Sequence, residues 1–200
     1  FGFSTGSQVR GIELESTSSG SRFRVLEDGL DLGRVELQVP GLHNARNALG
    51  AVTAARVLGV EWSSVRAALG DFQGVARRFQ TLGERADVVV VDDYAHHPTE
   101  LVAALQTARD SHPDRRLVAV FQPHLYTRTR DFGHEFGRVL ATADAVWIAE
   151  VYPSREEPIP GVDGAYIKRH VDAAIMGGMG NAGEVLVHRD LATLPEALAA

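Results

Sequence analysis

Three short segments concentrate the side chains able to do chemistry: Asp92-Asp93-Tyr94-Ala95-His96-His97-Pro98, Gln122-Pro123-His124-Leu125-Tyr126-Thr127-Arg128, and Glu150-Val151-Tyr152-Pro153. The first sets two carboxylates directly after a run of valines, where they can accept ribose hydroxyls or cation-bound water. His96 and His97 invite a metal reading. Neighbours in extended chain point to opposite sides, however, which argues against one ion held by both. The plainer account is a strand-to-helix loop in which Pro98 opens the helix. It explains Pro98 and one aspartate, and leaves Tyr94, His96 and His97 without a reason. In the second segment, Arg128 near a helix start suits a phosphate or a carboxylate, since helix-start amides and a guanidinium act together on an anion. Arg130 beside Asp131 reads as surface charge, and His124 is equally consistent with a packed, hydrogen-bonded histidine.

A fourth group is Gly41-Leu42-His43-Asn44-Ala45-Arg46-Asn47. Asn44 and Asn47 stand three apart at a helix start, so their amides share one face. Each amide carries a donor and an acceptor, which suits the edge of a purine. Asn44 or His43 can equally serve as a helix cap. Arg77 and Arg78, after Gly74, are either a solvated turn or a phosphate contact.

These residues need elements to hold them. Residues 9–15, 21–26 and 33–39 alternate apolar and polar positions between turn clusters, which predicts an antiparallel meander. Residues 44–58 and 62–69 follow as helices closed by Gly59 and Gly70. Val88 to Val91 is a continuous β-branched run, expected in a strand covered on both faces. Helices at 99–111, 128–141, 165–175 and from 194 alternate with strands at 117–121, 145–151 and 185–188. That alternation predicts βαβ units and a mainly parallel sheet. Ligands of such sheets bind beyond the carboxyl ends of the strands, where the first three segments lie.

Composition narrows the chemistry. The 200 residues are 44% hydrophobic and 23% charged, a globular balance. With no cysteine, a disulfide framework, a thiolate metal site and a cysteine nucleophile are all excluded. The net charge of -6 argues against a nucleic-acid partner. No apolar run approaches the ~20 residues that span a bilayer, so membrane insertion is not expected and a cytoplasmic location is the simplest fit. Lys168 is the only lysine and follows Tyr-Ile rather than a glycine, so these residues contain no Gly-Lys-Ser/Thr phosphate loop.

Taken together, PGLHNARNALGA, FQGVARRF, VDDYAHHPTE, FQPHLYTRTRDF and EVYPSREEPIPGV resemble the Mur ligase family in content and order. They cover roughly residues 40–165. The DDYAHHPTE and FQPH pair points to the branch that attaches the first amino acid of the peptidoglycan stem peptide. The resemblance implies an α/β architecture. Residues 1–77 would be the β-rich and helical end of a P-loop ATPase-type central domain. Residues 78–200 would form a C-terminal Rossmann-like domain, a mainly parallel sheet flanked by helices. The phosphate loop, the Mg2+ ligands and a UDP-binding domain would lie upstream, so the chain is expected to be a fragment, short also at its end, and inactive alone.

The same resemblance implies an ATP-driven ligation of L-alanine to the lactyl carboxylate of UDP-N-acetylmuramate through an acyl phosphate. His43, Asn44 and Asn47 would contact adenine, Arg78 the ATP phosphates and Asp93 the ribose. Tyr94, His96 and Arg128, with His124, would face substrate, His96 and Arg128 being the catalytic candidates; no resident metal ligand is implied. Where many members carry a second arginine, position 125 is leucine, and Tyr-Pro-Ser-Arg-Glu stands for their Tyr-Pro-Ala-Gly-Glu at 152–156. Two rivals remain: a non-catalytic Rossmann-like module for nucleotides or sugar phosphates, and a metal hydrolase in which His96, His97, His124 or His170 converge.

Overall fold

Alternation from Val9 onward produces strands β1 (Val9–Thr17), β2 (Gly20–Glu27) and β3 (Leu30–Leu37), an antiparallel sheet in the order β1-β2-β3. The computed structural model describes residues 1–17, 19–180 and 182–199. One face of the meander is solvated. The other buries Phe23, Val25 and Val35 completely, against Leu49 and Val52 of helix α1 (Leu42–Val57). Helix α2 (Trp62–Asp71) adds Val65 to the same core. A Cβ at Gly41 would stand 2.6 Å from the Thr107 hydroxyl, and its φ of 99° is closed to most L-residues, so the entry to α1 requires glycine.

Strands β4 (Gln80–Arg85) and β5 (Val88–Asp92) form a separate antiparallel pair. Here the expectation for the valine run fails. Val88 is 61% exposed and Val90 52%, and β5 pairs with β4 alone. The cause is the two-residue link Ala86-Asp87, whose φ values of 48° and 61° describe the tight turn that folds one strand back on its neighbour.

The parallel sheet is built from β6 (Val118–Phe121), β7 (Ala145–Ala149) and β8 (Glu184–His188), in that order. Helix α3 (Pro98–Ser111) precedes it. The helix expected over 128–141 is two: α4 (Tyr126–Asp131) and α5 (Gly133–Leu140), which part at Phe132 with φ -112°. Helix α6 (Gly164–Met176) and the short α7 (Leu194–Ala199) complete the order. Phe121, Phe136, Leu140, Val146, Ile148 and Ile167 are the centre of this second core. Gly137 lets α5 and α6 touch, since a Cβ there would lie 2.5 Å from the His170 main chain.

The chain divides into two compact units, one of Phe1–Tyr94 with Gln106–Pro113 and one of Ala95–Leu105 with Asp114–Ala200. Among the described residues, no helix is long and apolar enough to cross a membrane.

Candidate functional site

The first unit gathers His43, Arg77, Arg78, Asp93 and Tyr94. Asp93 is tied to the turn before β4: its Oδ2 accepts the Phe79 N–H at 2.8 Å. The Tyr94 N–H donates to the Arg77 carbonyl at 2.7 Å. Arg77 and Phe79 both have positive φ, 60° and 48°, so this turn is held in a conformation that side chains disfavour. The Arg77 guanidinium lies 4.6 Å over the Tyr94 ring and 3.5 Å from the Asp92 carboxylate. It is committed locally. Arg78 stands 5.9 Å from the same ring and lines a cavity of about 400 Å³ with Val39, Pro40, Phe79 and Gln80. Burial pushes the His43 imidazole below its ordinary value; Asp93 opposes that shift and Arg78 reinforces it. His43, Arg78 and Asp93 therefore share one electrostatic environment.

Asn44 uses its amide locally, Nδ2 donating to the Pro40 carbonyl at 2.8 Å, while Asn47 is exposed one turn further along α1. A purine edge offered to this face would meet Asn47 directly and the Oδ1 side of Asn44.

The second unit holds the other group. His97 is a helix cap: its Nδ1 accepts the Thr99 N–H at 3.3 Å, and Glu100 accepts the His97 N–H at 3.2 Å. Its ring meets Phe132 edge-on at 4.8 Å. His96 turns the other way, its N–H also donated to Glu100 and its ring 6.2 Å from that of His124. His124 lies 3.1 Å from Arg128, Nδ1 to Nη1. A guanidinium only donates, so Nδ1 is the acceptor and the imidazole proton sits on Nε2. Burial first, then Arg128 and His96, hold the His124 imidazole below its ordinary value, with Glu156 opposing. Arg130 pairs with Asp131 at 2.7 Å and is exposed.

His170 lies elsewhere in this unit, its ring 4.7 Å from Tyr166 and 6.3 Å from His134. The four histidines of the metal-hydrolase reading therefore do not gather. Among the described residues, no three His, Asp or Glu side chains come together as a metal-binding group. Lys168 pairs with Asp172 one turn along α6 at 2.8 Å.

Of the substrate-contact candidates, Tyr94 belongs to the arginine turn of the first unit, and His96, His124 and Arg128 belong to the second. Sequence reasoning assigned no role to three participants. Glu100 was legible as the acidic third residue of a helix beginning at Pro98. Tyr152 and Glu156 left no local signal for a partner. The Tyr152 ring stacks on His124 at 5.5 Å and 14°, and Glu156 accepts both the N–H and the hydroxyl of Thr127.

A profile of the family described as Mur ligase, glutamate ligase domain, matches residues 77–200. UDP-N-acetylmuramate–L-alanine ligase from Syntrophobacter fumaroxidans is 43% identical over 171 residues, covering 86% of this chain and 36% of that protein. The enzyme of the same name from Cutibacterium acnes is 44% identical over 200 residues, covering 100% of this chain and 41% of that one. Among solved structures, UDP-N-acetylmuramate–alanine ligase MurC from Thermotoga maritima superimposes with a TM-score of 0.78 at 28% identity, over 96% of this chain and 40% of its own. The chain thus spans well under half the length of the relatives it matches.

Proposed function

Because the chain belongs to the Mur ligase family, we propose that it is part of an ATP-dependent ligase of peptidoglycan precursor synthesis, joining L-alanine to the lactyl carboxylate of UDP-N-acetylmuramate. The curated relatives carry that name at 43% and 44% identity, which supports the substrate pair. Residues 1–77 are taken as the end of the central ATP-binding domain and residues 78–200 as the last domain, in keeping with a family match that begins at residue 77. The proposed location is cytoplasmic.

The observation that carries the reading is the His96, His124 and Arg128 group beyond the end of β6. It offers a guanidinium, a neutral imidazole and no nucleophile. A ligase needs none, since the attacking group is the amine of the amino acid. In the proposed reaction the γ-phosphoryl group of ATP passes to the lactyl carboxylate, the alanine amine adds to the acyl phosphate, and inorganic phosphate leaves. Arg128 would hold a carboxylate or the acyl phosphate through its paired N–H groups. His96, whose N–H is donated to Glu100, would meet the same substrate group, and Tyr94 is proposed as a further substrate contact. His43, Asn44 and Asn47 would take the adenine, Arg78 the phosphates and Asp93 the ribose. Asp92 and Asp93 are engaged by Arg77 and by the Phe79 N–H. Among the described residues no three His, Asp or Glu side chains form a metal-binding group, so the Mg2+ of the proposed reaction is assigned to ligands in the longer ligase.

Phosphate release and amide formation, measured with UDP-N-acetylmuramate, L-alanine and ATP, test this. In the longer ligase, Arg128→Ala is expected to lower turnover about 100-fold, and His96→Ala to lower it as well, both with the fold retained. The 200 residues alone are expected to hydrolyse no ATP and to form no amide. Wild-type turnover in both variants would remove the site assignment. Ligation by the 200 residues alone would overturn the division of labour. Nucleotide binding without turnover by the longer protein would leave a binding module.

A further inference from the structure

The turn between β6 and α4 has a strained backbone; it carries His124 and leads into the first turn of α4, which carries Arg128. Leu125 has φ 71° and ψ 132°, a region that side chains rarely occupy. Such a conformation persists only where its surroundings over-determine it. Three bonds do so here. The Leu125 N–H donates to the Tyr152 carbonyl at 3.0 Å, and the Tyr152 N–H donates to the Pro123 carbonyl at 2.8 Å. The hydroxyl of Thr129, which is fully buried, donates to the Leu125 carbonyl at 2.7 Å.

The segment that supplies two of those bonds also grips the side chains. The Tyr152 ring covers a face of His124 in near-parallel stacking. Four residues on, the Glu156 carboxylate accepts the N–H of Thr127 at 2.9 Å and bonds its hydroxyl, which fixes the start of α4. Arg128 is the next residue, and its Nη1 donates to His124 Nδ1 at 3.1 Å. Residues 152 and 156 therefore hold the turn at both ends.

We propose that Tyr152 and Glu156 are positioning residues that clamp the strained His124–Arg128 turn, with the Tyr152 ring fixing the His124 imidazole as the hydrogen-bond acceptor that aims the Arg128 guanidinium. The clamp acts on geometry alone. Its consequence for turnover rests on the ligase reading, because only there does the aim of Arg128 toward an acyl group matter.

Long-range 1H–15N NMR of the histidine rings in the full 200-residue chain tests the clamp without any substrate. In the wild-type chain, His124 is expected to show an unprotonated, hydrogen-bonded Nδ1 and a protonated Nε2. Tyr152→Leu is expected to replace that pattern by a mixture of tautomers, while Tyr152→Phe, which keeps the ring, preserves it. Glu156→Ala, at a half-buried residue outside both cores, is expected to weaken the Nδ1 signature in smaller degree. A folded Tyr152→Leu chain with the wild-type His124 pattern overturns the clamp, as does a Tyr152→Phe chain that behaves like Tyr152→Leu. Should Tyr152→Leu fail to fold, an unchanged His124 pattern in Glu156→Ala overturns it instead. In the longer ligase, Tyr152→Leu is expected to lower kcat about tenfold with the KM for ATP unchanged. A wild-type ligase that forms no amide removes the ligase reading and leaves the ring-nitrogen result standing by itself.

Discussion

Strands β5 and β6 both lead into a segment carrying histidine and tyrosine, yet they rest on different foundations. β6 lies in a three-stranded parallel sheet, with Ala119 and Phe121 turned into a core completed by Phe136, Val146 and Ile148. β5 has one antiparallel partner and leaves two valines exposed. The loop after β6 therefore starts from a packed strand, and hydrogen bonds with Tyr152, Thr129 and Glu156 then fix it. That after β5 is positioned by polar stitches: Asp93 to the Phe79 N–H, Tyr94 to the Arg77 carbonyl, and Arg77 to Asp92. Two similar loops thus leave strands of different burial, and substitutions should tell them apart.

The largest separation is expected from core truncation. Ile148 is fully buried, so Ile148→Ala should cost ~2–5 kcal/mol by urea denaturation. Val90→Ala on the exposed strand should change stability by about 0.5 kcal/mol or less. Equal losses would show that β5 is buried in solution and would abolish the contrast.

Overpacking comes next. Gly137→Ala drives a methyl group into the His170 main chain and should cost about 1–3 kcal/mol, felt in the second unit through the α5–α6 contact. Wild-type thermal stability in that variant would mean that the two helices can separate without loss.

The polar stitch should break more gently and be repairable. Asp93→Ala leaves the Phe79 N–H without its acceptor, for an expected loss of about 1–3 kcal/mol. Asp93→Asn keeps an oxygen in place and should recover most of it. If asparagine fares no better than alanine, charge rather than the hydrogen bond holds that turn.

The smallest effect is a dependence on pH present in both units. His43 and His124 are both held below the ordinary imidazole value, in each case first by burial. The folded state therefore disfavours their protonation, and the unfolded chain binds more protons as pH falls through about 6.5. The stability these groups contribute is complete above that value and declines below it, before carboxylates begin to titrate. Urea midpoints across pH 5–7.5 should fall toward acid, with a flatter profile in His43→Gln and in His124→Gln. A midpoint that rises toward acid would reverse the sign assigned to both.

Much of this fold is legible along the chain because helices and strands declare themselves by period. The meander, α1, α2, α3 and α6 follow from spacing within three residues of their observed bounds. What escapes has a physical cause in each case. The β4–β5 hairpin turns on Ala86-Asp87, which lacks the Asn-Gly signature of such a turn, so a valine run that suits a buried strand was assigned to one. The break at Phe132 falls beside Gly133, a glycine that an otherwise continuous helical pattern leads one to read as helix interior. In the candidate site, the identities of His96, His124 and Arg128 stand out as chemistry at a strand end, whereas the capping role of His97 needed the helix start to be fixed first.

Residue types and spacing alone determined the class of elements, the absence of thiol chemistry and of a phosphate loop in these residues, and the family resemblance. Those properties are local: they depend on which side chains stand two, three or four positions apart. Tertiary structure alone decided that β5 is exposed, that Arg77 is committed to Asp92 and Tyr94 while Arg78 faces a cavity, and that Tyr152 and Glu156 reach back to His124 and Thr127. These contacts join segments about 14 to 30 residues apart, whose meeting is set by how whole elements fill a core. No local pattern encodes that filling.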